Sequence, residues 1–171
     1  YNKYSGFWVH HCDFYSGLNN WDLTGEQDKN KGDGSVDCNQ VSNITVSYCN
    51  FIETGKSCLV ASSDSSKCKN LTHHHNYYYG VNSRLPFARG TNIHLYNNYY
   101  ESCGEAVRVR KSCYVFSENN YFDSCKNAHL VNDNTSAIKS YNDVFANCAK
   151  VQSTKVTNRN APVDNKCAMN G

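Results

Sequence analysis

Three stretches of this chain, NLTHHHNYY, NIHLYNNYY and YVFSENNYF, can be laid one above another. Asn76, Asn98 and Asn120 then share a column at intervals of 22 residues. AIKSYNDVF below them puts Asp143 in that column, and NITVSYCNF and GFWVHHCDF above them put Cys49 and Cys12 there. Two residues further on, every row carries an aromatic ring: Phe14, Phe51, Tyr78, Tyr100, Phe122 and Phe145. A constant period of this kind is the mark of a stacked repeat. Each row reads as a short strand with alternating faces, for example Ile44, Val46 and Tyr48 against Thr45 and Ser47. Equivalent strands of successive turns would lie about 4.8 Å apart, so like side chains would sit directly over one another. Rings can stack in such a column, and asparagines at a bend can pair along it with amides otherwise buried unpaired.

These columns predict an all-β fold: a right-handed, single-stranded parallel β-helix of about six turns. Barrels and sandwiches do not repeat one residue type at one period, and rows rich in asparagine, glycine and β-formers argue against helical repeats. The whole chain, 1–171, reads as one such domain, with 151–171 as tail or cap. Uneven intervals between the early rows mark loops, which on a solenoid gather on one face. The first row begins at Gly6, so an upstream segment or a second chain is expected to cover that open end.

Ten cysteines indicate an oxidising compartment, and the absence of CxxC pairs speaks against structural zinc. Cys103, Cys125 and Cys148 form a further column, near enough for disulfides but of open connectivity. Sequons at Asn43, Asn70 and Asn134 fit a secreted, extracellular glycoprotein. A net charge of +2 gives no reason to invoke nucleic acid, and no apolar run is long enough to span a membrane. The tyrosine pairs Tyr77-Tyr78 and Tyr99-Tyr100 belong to the columns and read as packing rather than as base-stacking platforms.

The most specific resemblance is carried by LTHHHNYYYGVNSRLPFARGTNIHLYNNYY, which is similar to the V-T-x-H-H-N…R-x-P-x-x-R-x-G-x-x-H-x-x-N-N stretch of the pectate lyases of polysaccharide lyase family 1. WVHHCDF resembles that family's W-I-D-H-C strand, with His10 in place of the aspartate. Asp33-Gly34-x-x-Asp37 resembles its acidic calcium motif, and GKSCLVASSD its H-x-K-x-x-L-x-G-x-x-D segment. The resemblance implies calcium-dependent β-elimination of polygalacturonate (pectate, the demethylated form of pectin), giving 4,5-unsaturated oligogalacturonides. It implies Arg84 as the base that takes the C5 proton, Lys56 and Arg89 as substrate-binding cations, and Asp33 and Asp37 as Ca2+ ligands. A hard cation and neighbouring positive charge would acidify a proton α to a carboxylate. A guanidinium base implies activity favoured at alkaline pH. The calcium ligands that the family takes from an upstream aspartate strand have no counterpart in YNKYSG.

Other residues admit plainer readings. His73 and His75 are expected on one strand face with His74 on the other, serving as hydrogen-bonding groups rather than metal ligands. His94 reads as a buttress. Arg108, Arg110 and Lys111 either extend a polyuronate groove or form a solvated face, and Asp64 has no assigned role. Two other functions fit the scaffold: a non-catalytic β-helix that binds acidic polysaccharide or serves assembly, and a hydrolase, which would need paired aspartates not evident near Arg84.

Overall fold

The computed structural model describes residues 4–15 and 33–160. Among these there is no helix, and so none able to cross a membrane. Eighteen short strands form three parallel sheets. The first sheet runs β1 (Tyr4–His10), β3 (Val41–Ser47), β6 (Lys69–His74), β9 (Asn92–Tyr96), β12 (Tyr114–Glu118), β15 (Ala137–Tyr141) and β18 (Thr154–Lys155). The second contains β2 (Asp13–Tyr15), β4 (Asn50–Ile52), β7 (Tyr77–Tyr79), β10 (Tyr99–Glu101), β13 (Tyr121–Asp123) and β16 (Val144–Ala146). The third contains β5 (Leu59–Val60), β8 (Phe87–Arg89), β11 (Glu105–Arg110), β14 (Asn127–Val131) and β17 (Lys150–Val151). The chain visits each sheet once per turn, which is a parallel β-solenoid. The count is about five turns rather than six, because the third sheet has five strands. The continuation of the first row beyond Tyr15 lies outside the described residues.

The register is the one expected from the columns. Phe14 pairs with Phe51, Phe51 with Tyr78, Tyr78 with Tyr100, Tyr100 with Phe122, and Phe122 with Phe145. Their rings stack with centroids 4.4–5.1 Å apart and interplanar angles of 4–16°. Rings so close to the strand spacing pack in a continuous stack along the interior, and stacking adds to the area they bury.

Between the first and second sheets the chain bends at His11, Tyr48, His75, Asn97, Asn119 and Asn142, each with φ between 52° and 54°. The next residue inward is the asparagine column. Asn76 Oδ1 accepts from the backbone N–H of Cys49 (3.0 Å), Asn98 Oδ1 from that of Asn76 (3.0 Å), and Asn120 Oδ1 from that of Asn98 (2.9 Å). Each amide nitrogen also donates to a strand carbonyl, that of Val46, His73 or Leu95, at 2.9–3.0 Å. The tight bend would otherwise leave these backbone groups buried and unpaired. Asp143 ends the ladder, accepting from the Asn120 N–H at 2.9 Å, and burial raises its pKa.

The same bend corrects two strand readings. Tyr48 is half exposed rather than inward with Ile44 and Val46, and His75 leaves the face of the buried His73. Left-handed backbone breaks the two-residue alternation on which both expectations rested. The sequon residues Asn43 and Asn70 lie on adjacent rungs, with Asn70 Nδ2 donating to Asn43 Oδ1 at 2.9 Å, while Asn134 is on an exposed turn. The nine described cysteines are thiols, and Cys167 lies outside the described residues. Of the expected tail, residues 151–160 are described. Arg159 there makes a two-pronged ion pair with buried Glu118 at 2.7 and 2.8 Å. Glu118 also accepts from His94 at 2.8 Å, consistent with a buttressing role for that histidine.

Replacing Asn98 by Ala removes the acceptor for the buried Asn76 N–H and opens a void between two rungs. A loss of about 2–4 kcal/mol is expected, read as a lowered urea midpoint. Burial also lowers the pKa of His129 from 6.5 to about 3, so the fold holds it neutral. The unfolded chain takes up that proton first, so this contribution to stability is complete above pH 6.5 and is lost as pH falls toward 3. In His129→Leu the acid-side slope of unfolding free energy should be correspondingly shallower, as equilibrium unfolding at several pH values would show.

Candidate functional site

The residues expected to act together do come together, because three rungs align them. Single parallel bridges join Asp33 to Lys56 and Lys56 to Ser83, the residue before Arg84. Gly34 donates its N–H to the Lys56 carbonyl at 2.9 Å and, with φ +81°, turns the chain between the two acidic residues. Asp37 then faces back to the next rung, its Oδ1 accepting from the Leu59 N–H at 2.9 Å. Arg84 itself has φ +67°, an unusual conformation for a long side chain. Its guanidinium extends to Asp33, Nη1 to Oδ1 at 2.7 Å. Lys56 is largely buried beside them.

Arg89 lies on β8 of the third sheet, where the strand pattern sorts the site from the core. Ala88 and Val109 point inward and are fully buried. Phe87 and Arg89 point outward opposite Arg108 and Arg110 of β11. The guanidinium carbons of Arg89, Arg108 and Arg110 lie 4.5, 4.8 and 5.4 Å from the centre of the Phe87 ring. One aromatic ring thus gathers three cations and offsets part of their mutual repulsion. Arg89 Nη1 also donates to the Ala61 carbonyl at 2.5 Å. Burial, and then the charge of Arg110, lower the pKa of Arg89, while Asp64 opposes the shift. Arg108 pairs with Glu105 at 2.9 Å.

Asp33 also borders an open cleft of about 380 Å³ with Asp13, Phe14, Tyr15, Gly34, Ser35 and Thr54. Carboxylate oxygens of the kind Asp33 and Asp37 offer suit a hard divalent cation, and the remainder of its six to eight oxygens would come from elsewhere. No group of three or more metal-binding side chains converges among the described residues. The surface histidines lie away from this array. His74 and His75 approach at Nδ1···Nδ1 2.9 Å, and Tyr48 stacks between His11 and His75 at 5.1 and 4.9 Å.

Sequence reasoning missed Phe87 as a platform and Asp64 as a hub. The spacing of Phe87 and Arg89, and of Arg108 and Arg110, two residues apart, was a visible signal. It became decisive only once the register set Arg110 beside Arg89.

A pectate lyase family profile matches residues 2–166. The chain belongs to the pectate lyase family. Pectate lyase 1 of Pectobacterium atrosepticum is 40% identical over 92 residues, covering 52% of this chain and 24% of that protein. Pectate lyase C of Dickeya chrysanthemi is 41% identical over 91 residues, with the same shares. Among solved structures, a pectate lyase from a Bacillus species in complex with trigalacturonate matches with a TM-score of 0.67 at 29% identity, covering 82% of this chain and 48% of that one. The chain thus spans about a quarter of the length of these curated relatives and about half of that structure.

The left-handed Gly34 makes a local test of the acidic turn. A Cβ there would stand 3.1 Å from Asp37 Oδ2, in a backbone conformation that disfavours any side chain. Gly34→Ala should cost about 1–2 kcal/mol in thermal or urea unfolding.

Proposed function

We propose that this chain carries the catalytic face of a calcium-dependent pectate lyase, which cleaves polygalacturonate by β-elimination. The observation that carries this reading is the alignment of Asp33, Lys56 and Ser83–Arg84 on successive rungs beside the Phe87–Arg89 strand. That array concentrates positive charge along one line, as a polymer with a carboxylate on every sugar requires. Arg84 takes the C5 proton, the electron pair left on C5 forms the C4–C5 double bond, and the C4 glycosidic oxygen departs. Lys56 and Arg89 hold substrate carboxylates, and Asp33 and Asp37 would hold the calcium ion. When bound, that ion supplies neutralising charge beside the acidified C5 proton.

The surroundings fit a secreted, extracellular protein of this class, in which neighbouring column cysteines can pair and Asn134 can carry a glycan. At the first rung Tyr4, Phe7 and Trp8 are 65%, 46% and 61% exposed on the edge strand β1. That end suits coverage by an upstream coil or a second chain, which would also supply further calcium oxygens.

Incubation with polygalacturonate and calcium should produce the ultraviolet absorbance of unsaturated uronides, and a chelator should abolish it. Reducing ends without that absorbance would point to hydrolysis, and binding without either signal to a non-catalytic binder. Because guanidinium is a base only when neutral, the rate should rise above neutral pH. Arg84→Lys should lower kcat by about 10²-fold or more while oligogalacturonate binding persists; a near-normal rate would remove Arg84 from the role of base.

A further inference from the structure

The third-sheet cations enclose a carboxylate of the protein's own. Asp64, on the turn after β5, lies 3.3 Å from Arg110 Nη2, 3.5 Å from Arg89 Nε and 3.5 Å from Lys111 Nζ. Charge-assisted hydrogen bonds close to about 2.7–2.9 Å, so none of these three contacts is fully made. The Nε–H groups of both Arg89 and Arg110 are buried and have no hydrogen-bond acceptor. Two strong donors are therefore left waiting at the point where three cations converge. Leaving such donors unpaired is costly, and an incoming anionic oxygen would relieve that cost.

The two arginines do not depend on Asp64 for their positions. Arg89 is anchored by the Ala61 carbonyl and by Phe87, and Arg110 also lies over Phe87. Asp64, by contrast, has a side chain 48% exposed on a surface turn, so it can rotate into solvent without unpacking the core. Two anchored arginines and a loosely seated carboxylate describe a seat with an exchangeable occupant.

We propose that Asp64 is a resident stand-in for a substrate carboxylate: it occupies the Arg89–Arg110–Lys111 seat in the free protein and yields it to a uronate. This inference rests on the polyuronate reading above and adds to it a residue that sets affinity. By competing for the seat, Asp64 weakens binding of any single carboxylate. A polymer that presents several carboxylates in register engages Lys56 as well and overcomes that competition, so selection favours uronate chains over isolated acids.

The test is calorimetric binding of trigalacturonate to the wild-type protein, Asp64→Asn, Asp64→Ser and Asp64→Glu, each with its thermal midpoint. Asn and Ser remove the competing charge and should tighten binding by about three- to tenfold. Glu restores the charge and should return affinity to near the wild-type value. Two neutral replacements of different shape keep the test open if one of them folds poorly. Unchanged or weaker binding by a neutral variant of normal thermal midpoint would overturn the assignment, because a residue that merely positions the arginines loses affinity when removed. Failure of the lyase reading shows separately, as bound trigalacturonate without unsaturated product from polygalacturonate. Binding by none of the proteins overturns both.

Discussion

The structure depends on one repeated hydrogen bond: the side-chain oxygen of an asparagine accepting the backbone N–H of its counterpart one rung away. A parallel solenoid must turn sharply between sheets while remaining buried, and a sharp turn takes its backbone groups out of the ladders. From Cys49 to Asp143 the column supplies the missing partners at 2.9–3.0 Å. The left-handed residue just before it sets the bend at the same φ in six rows. With every bend alike, successive turns superpose, and only then can Phe51, Tyr78, Tyr100 and Phe122 stack as a continuous interior. Asp143 is the exception that shows the cost. It meets the ladder as an acceptor but brings a carboxylate into the interior, and burial raises its pKa in response.

The charged face follows from the same register. Strand alternation sends Ala88 and Val109 into the core and Phe87, Arg89, Arg108 and Arg110 outward, and parallel pairing at one spacing sets the outward residues side by side. Such crowding of like charge would oppose folding without compensation. The Phe87 ring, the Ala61 carbonyl and three carboxylates, Asp33, Asp64 and Glu105, provide it. The compensation is partial, and the two unpaired Nε–H groups record what is left over. A face with residual positive charge and open donors, held on a rigid sheet, is suited to an extended polyanion.

Much of this was legible in the chain itself. The aromatic and asparagine columns fixed the strand register to the residue, because a solenoid converts sequence period directly into neighbour identity. Tyr48 and His75 were placed wrongly for a stated cause: alternation counts residues as though φ stayed negative, and both occupy left-handed bends. The turn count came out one too high because rows were counted in the first and second sheets, whereas a complete turn also needs a strand in the third. The family motif brought Arg84, Lys56, Arg89, Asp33 and Asp37 forward, yet it says nothing of which cation meets which carboxylate.

The sequence by itself determined the period, and with it the stacking, the interior and the family, since all of these are properties of residue type at fixed spacing. Only the tertiary structure decided the pairings across rungs: Arg84 on Asp33, three guanidiniums on Phe87, and Asp64 among Arg89, Arg110 and Lys111. The physical reason is that those contacts, Phe87 with Arg89 on one strand aside, join residues 21 to 51 positions apart through side-chain reach and direction. Direction at each rung is set by the local bend and by packing against the neighbouring turn, neither of which a single row contains.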